Sequence, residues 1–333
     1  MKTVEELRKF FNTELQADLH EIEGKRKKVV NKVYILIAGM TFVFCLGSYI
    51  VLNSIKELAE ALGFIALFAV VIPALTYMFY KDATSNKDFY NQFKTKVIER
   101  IVKFIDPSFI YISHKCIESR DFIDSKIFSE TPKRYKGDDY VVGKISPHTR
   151  IQFSELHTES KMQVDVKGEK VNKWNNVFKG LFFVADYGPG FKAETVILPR
   201  THNVSNTKTA NGPNGNPYNT GNQEFDNIFR VLSTNPQETE KILDIRLIES
   251  LIDFHRGSKT DIYCSFVHNR ISVAVSHIKD LFEPEIFHTL LDFKIIEEYY
   301  DDLYKAISIM EKINPEIKIG NHTPQATPTA VKA

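Results

Sequence analysis

Two stretches without a single charge lie close together near the start of the chain, and they constrain it more than any other feature. Val33 to Ile55 reads VYILIAGMTFVFCLGSYIVLNSI, and Ala61 to Tyr80 reads ALGFIALFAVVIPALTYMFY. A helix that crosses a bilayer needs about 20 mainly apolar residues, because the hydrocarbon core is about 30 Å thick and a helix rises about 1.5 Å per residue. Both stretches meet that length. Only Lys56, Glu57 and Glu60 carry charge between them, so the two helices must be antiparallel neighbours. A signal peptide has a shorter apolar core and is not followed at once by a second span. A buried hairpin of a soluble protein seldom stays free of charge for so long. The two stretches are therefore read as transmembrane helices. Pro73 is tolerated inside a span, and Tyr34, Tyr49, Tyr77 and Tyr80 fall near the ends, where aromatic rings favour the headgroup level.

The flanks give the orientation. Lys25, Arg26, Lys27, Lys28 and Lys32 precede the first span, while Lys81, Lys87, Lys94 and Lys96 follow the second. Positive residues stay on the cytoplasmic side, so both termini are expected there, in a multi-pass protein of the inner membrane. The membrane-proximal basic group Lys25 to Lys32 should attract anionic lipid, at roughly 1 kcal/mol per residue near the surface. The net charge of the 333 residues is only +1, which gives no footprint for nucleic acid. Cys45, Cys116 and Cys264 show no paired spacing, so neither a zinc knuckle nor a disulfide framework is indicated. No ionisable residue lies inside either span, which argues against a channel or transporter.

The remainder reads as α+β. Residues 1–30 hold an amphipathic helix with Val4, Leu7, Phe11, Leu15, Leu19 and Ile22 on one stripe, closed by Gly24. It packs either on the chain's own domain or on a partner. Residues 31–82 are the hairpin, 83–135 a helical connector with a stripe from Phe89 to Phe104 stopped by Pro107. Residues 136–313 form a domain with a mainly antiparallel sheet and flanking helices. Within it, Tyr140 to Ile145, Arg150 to Thr158, Met162 to Val166, Phe178 to Tyr187 and Glu194 to Leu198 read as strands, with turns at Lys167-Gly168 and Gly188-Pro189-Gly190. Residues 202–223, rich in Asn, Gly, Thr and Pro, read as a mobile loop. A helix begins at Pro236, runs through Phe254 and is closed by Gly257. A hairpin turns at His268-Asn269, a helix covers Phe287 to Ile313, and residues 314–333 have the composition of a disordered tail.

Chemistry is sparse. No dinucleotide or phosphate-binding loop is present, nor a nucleophile elbow or zincin motif. Glu155, His157 and Glu159 alternate along one strand and so share a face. A metal would need more ligands than these, and a solvent-exposed strand face is the preferred reading. Cys264 and His268 would stand about 13 Å apart on one strand, so Cys264 is read as a core residue. The lone Trp174 should pack against the sheet. Neither a cofactor nor a metal is expected.

Several segments resemble a bacterial family of unknown function. They are DYVVGKI from Asp139, IQFSELHTE from Ile151, VFKGLFFVAD from Val177, Phe225 to Ser233, Asp261 to Ala274 and EEYYDDL from Glu297. The resemblance implies two N-terminal spans, a cytoplasmic domain and a gene often placed beside LemA-type membrane proteins. It implies no activity, cofactor or catalytic residue. The expected function is a membrane-anchored cytoplasmic scaffold or regulatory module, in contact with lipid and with a LemA-type partner or a second copy of itself. The alternative is an enzyme at the inner membrane face acting on a lipid or envelope precursor, with Glu155, His157 and Asp186 as candidate residues.

Overall fold

The computed structural model describes residues 2–85, 87–144, 150–166, 169–188, 190–202, 213, 215–258, 260–277 and 280–313. The expected turns at Lys167-Gly168 and Pro189, half of the 202–223 loop and the 314–333 tail lie outside them. The chain divides into two compact units. One takes Val4–Val97 and Glu283–Ile296; the other takes Ile98–Phe282 and parts of Met1–Thr3 and Glu297–Ala333.

The first unit is helical. α1 (Val4–Phe10) passes through one π turn, Phe11–Leu15, into α2 (Gln16–Ser54). Helix therefore runs unbroken through Gly24, which does not end it. A glycine inside a helix costs only about 1 kcal/mol against alanine, and the helical residues on both sides outweigh that. Three residues link α2 to α3 (Leu58–Thr84), with Pro73 inside. Both helices are long and apolar enough to cross a membrane. None of the apolar window of the first is buried, and only 6% of that of the second. Tyr34, Phe42, Tyr49, Val70 and Tyr77 are each at least 60% exposed. α4 (Lys87–Phe93) runs through a second π turn, Lys94–Ile98, into α5 (Glu99–Ile105), which already counts with the second unit. Phe89, Phe93 and Val97 are buried, as the stripe predicts.

The second unit is built on a nine-stranded sheet. In chain order the elements are β1 (Ile110–Ile112), α6 (Ser119–Asp124), β2 (Arg134–Lys144), β3 (Arg150–Val166), β4 (Glu169–Asp186), β5 (Thr195–Pro199), β6 (Asn216–Tyr218), α7 (Gln223–Ile228), β7 (Phe229–Ser233), α8 (Pro236–Ile242), α9 (Ile245–Ser258), β8 (Ile262–Val267), β9 (Arg270–Ser276) and α10 (Phe293–Ile313). The spatial order is β1-β2-β3-β4-β9-β8-β5-β7-β6, and each pair is antiparallel. The α+β class with a mainly antiparallel sheet is thus what the molecule has.

Strand alternation sends Leu156, Phe182, Val184, Val196, Leu198, Leu232, Tyr263 and Ala274 to one face, where Ile117, Phe122, Ile127 and Phe128 of the α6 region cover them. The other face meets α7, α8 and α9. Phe229 packs at a tilt on Phe225 and edge-on to His255, and Thr195 and Ser233 both bond the Thr239 hydroxyl. Cys264 is fully buried, a core residue as expected.

Several segments differ from the sequence reading. The last helix begins at Phe293 rather than Phe287, and β6 lies inside the stretch expected as a loop over 202–223. β3 runs on from Thr158 to Val166 without a break, and β4 starts at Glu169 rather than Phe178. Their outer halves, Ser160–Val166 and Glu169–Asn175, pair only with each other among the described strands. Trp174 sits in this arm, half-buried, with the Arg134 guanidinium 3.5 Å over its ring. Cation–π stacking rather than core packing holds it. Finally, the helix expected over 236–254 is two helices. Asp244 interrupts it and caps α9, accepting from the Leu247 amide at 2.9 Å; α9 then passes Gly257 and ends at Ser258.

Candidate functional site

The register of β2 on β3 creates a cluster of acids. Asp138 stands opposite Glu155, and Val141 stands opposite Phe153. Two residues of β2, Asp139 and Tyr140, therefore face the single Ser154, which is a β-bulge. Asp139 takes the left-handed conformation, φ 56°, which aspartate tolerates better than most residues. The extra residue changes which way the chain faces, so adjacent acids converge. Carboxylate oxygens of Asp138, Asp139 and Glu155 lie within 4.8 Å of one another.

Each acid is set by its surroundings. Asp139 is buried and accepts from the Tyr111 hydroxyl of β1. Glu155 is 6% exposed and accepts from the Leu281 amide at 3.2 Å. Burial pushes the Glu155 carboxyl up to about 8; the Leu281 amide opposes this, while Asp138, Asp139 and Asp280 add to it. Asp280 is itself paired with Lys179 at 2.7 Å. Cys116 is raised by burial first and by Asp138 second. The cluster can do two things chemically. It can hold a proton near neutral pH, or it can offer an all-oxygen set suited to a hard divalent cation.

The strand face of Glu155 is therefore not solvent-exposed, as the alternation suggested. The segment carrying Leu281 and Phe282, both buried, covers it. His157 is exposed and Glu159 half-buried, and a register shift between Thr158 and Glu159 disturbs the alternation. Asp186 is not brought to this place. Leu181 is the β4 partner of Glu155, and Asp186 lies five positions further, about 17 Å along the strand, opposite Arg270. Asp138 and Asp139 escaped the sequence reading. Their one signal was a pair of acids inside a strand, where aspartate is depleted.

A cavity of about 510 Å³ opens elsewhere in the same unit, lined by Arg120, Asp121, Asp124, His268, Asn269 and Arg270 among others. Asp121 is held there by Arg270 and by Gln152 at 2.9 Å, and Gln152 accepts from Tyr140 at 2.8 Å. None of the three clustered acids lines it.

The basic residues beside the first span divide. Lys27, Lys28 and Lys32 are exposed. Lys25 is half-buried and donates to Gln92. Arg26 is turned inward. Its Nε and Nη2 each reach Glu23 at 2.8 Å, and its Nη1 donates to the Ile286 carbonyl at 2.6 Å. Glu23 in turn accepts from the Leu290 amide at 3.1 Å. Burial alone would raise the Glu23 carboxyl, but Arg26 and the Leu290 amide hold it below the usual carboxylate range.

Residues 176–314 match the model of a family described as Protein of unknown function (DUF3137). That stretch begins inside β4 and takes in every later element, whereas the acidic cluster precedes it. No curated protein matches the chain. Among solved structures the chain is similar to the mycobacterial trehalose monomycolate transport factor A, TtfA, with a TM-score of 0.32 and 11% identity over 62% of this chain and 95% of that one. A likeness of that size carries no argument about function.

Proposed function

We propose that the chain is a membrane-anchored module in which two spans tether an α+β domain at the inner membrane face, where it binds a membrane protein. The observation that carries this reading is the bare apolar surface of α2 and α3. Buried core helices hide such surface; these expose it along the charge-free lengths, and an apolar surface that large is stable only against lipid or another protein. Exposed Lys27, Lys28, Lys32, Lys81 and Lys87 flank it. They support the orientation with both termini cytoplasmic. The partner we propose is a LemA-type membrane protein or a second copy of the chain, on the resemblance given above.

The enzyme reading has one observation in its favour. Glu155 holds a proton near neutral pH, which suits general acid–base work. It is, however, covered by Leu281 and Phe282, and the one cavity described in this unit does not reach it. Binding is therefore the preferred reading.

The test is carbonate extraction of membranes holding the full chain, followed by crosslinking with identification of the captured protein. The chain should stay in the pellet and give one reproducible membrane-protein adduct. Release into the soluble fraction would overturn the anchoring. Turnover of a lipid precursor by the purified chain, with no reproducible adduct, would overturn the binding role.

A further inference from the structure

A segment near the far end of the chain belongs to the helical unit, and its fastening is unusual. Glu283 pairs with the buried Lys94 at 3.0 Å. The Ile286 carbonyl takes a bond from Arg26, and the Leu290 amide gives one to Glu23. The Phe293 ring lies edge-on to Phe11 at 5.4 Å, with Arg8 over its face. Ile286 and Leu290 are buried, yet Phe287 between them is 50% exposed. The clasps on both sides fix the backbone so that this ring points outward.

Its one described ring neighbour shows where. Phe287 stacks on Tyr80, centroids 6.4 Å apart and planes within 3°. Tyr80 is the last residue of the second charge-free stretch, and Lys81 follows it. Tyr77, one turn deeper, is 68% exposed. The headgroup layer beyond the hydrocarbon is roughly 5–8 Å thick on each side, so a ring stacked on the boundary residue falls within it. The polar neighbours Glu285 and His288 pair with each other at 2.6 Å and stay exposed, as residues on the water side would.

We infer that Phe287 is a third membrane contact, an aromatic anchor that seats in the headgroup layer beside the end of the second span. The inference rests on reading the hairpin as membrane-spanning. Phenylalanine has no polar tip, so what favours it at this level is the apolar area it removes from water, as for the Trp, Phe and Leu of interfacial segments. An exposed phenylalanine continuous with the apolar surface of α3 meets that description. The occupant proposed for this rim is lipid; a protein partner or a second copy is the alternative outcome.

The experiment uses the full chain with Trp174→Phe, carrying either Phe287→Trp or Tyr77→Trp, in phosphatidylcholine–phosphatidylglycerol vesicles whose acyl chains are brominated near the headgroup. Both single tryptophans should be quenched at least twofold relative to unbrominated vesicles. Quenching with Tyr77→Trp but not with Phe287→Trp would overturn the anchor and leave the spans standing. Quenching of neither would overturn the membrane reading itself, and the anchor with it. If Trp174→Phe fails to fold, Phe287→Trp in the otherwise unchanged chain gives the same result as a difference from the unchanged chain.

Discussion

Two of the molecule's buried charged groups are handled in opposite ways. Glu23 and Arg26, in the helical unit, form a two-point ion pair whose remaining valences go to the Ile286 carbonyl and the Leu290 amide. Asp138, Asp139 and Glu155, in the sheet unit, put three acids within 4.8 Å. In the first case opposite charge keeps the carboxylate ionised; in the second, like charge and burial favour the proton. The lesson is that burial alone does not set the state of a carboxylate: the sign of its neighbour does.

The largest expected effect comes from breaking the pair on one side. Arg26→Met leaves Glu23 buried without its cation, and removing one partner of such a pair costs about 3–5 kcal/mol. Amide hydrogen exchange at Leu290 in detergent-solubilised full chain should accelerate on the order of a hundredfold. The double change Glu23→Leu with Arg26→Met should recover much of the loss, since no lone charge remains. Unchanged exchange in the single variant would mean that the clasp is not what holds the segment.

The acidic cluster should respond to pH next most strongly. Glu155 has an ordinary value of 4.5 and is raised to about 8 in the fold. The folded state therefore binds the proton more tightly than the unfolded one. The contribution is full below about 4.5, is lost as pH rises from there through about 8, and is flat above. The steepest slope is about 1.4 kcal/mol per pH unit. Trp174 lies in β4, so its emission follows the sheet unit. Urea melts of the full chain should show this slope, and Glu155→Gln, which keeps an acceptor for the Leu281 amide, should remove that part of it. An identical pH profile in the variant would show that folding does not shift the titration of Glu155.

A smaller effect sharpens the contrast. Asp138→Asn removes one like charge and retains the size of the side chain. Glu155 should then titrate lower, by under about one unit, and the urea melts should shift by about 1 kcal/mol near pH 7. A Glu155 midpoint that rises instead would show that Asp138 is not acting as a charge.

What could be read beforehand follows from range. The two long apolar helices were legible because a run without charge is a property of neighbours in sequence. The β8–β9 hairpin was legible for the same reason: His268-Asn269 supplies two residues suited to a tight turn, and His268 does take φ 56°. The clasp was not. Glu23 and Arg26 stand three apart on a helix, an ordinary surface pairing; what buries them arrives 260 residues later, with Ile286. The acidic cluster was hidden differently. A strict two-residue alternation places Asp138 and Asp139 on opposite faces, and only the bulge against Ser154 brings them together. Asp186 stands at the end of β4, which says nothing of distance from Glu155.

The unbroken course of α2 past Gly24 has a mechanical consequence. Its 39 residues make a rod about 58 Å long, of which roughly 25 Å, from Gln16 to Lys32, precedes the charge-free stretch. No proline or turn divides the two parts, so the helix is a lever. On the proposed membrane-spanning reading, if the bilayer grows thinner and the helix leans by about 10° to match it, the far end swings by about 4 Å. Bilayer thickness would in this way be converted into displacement at the far end of a single helix, where Glu23 and Arg26 hold the segment of Ile286 and Leu290.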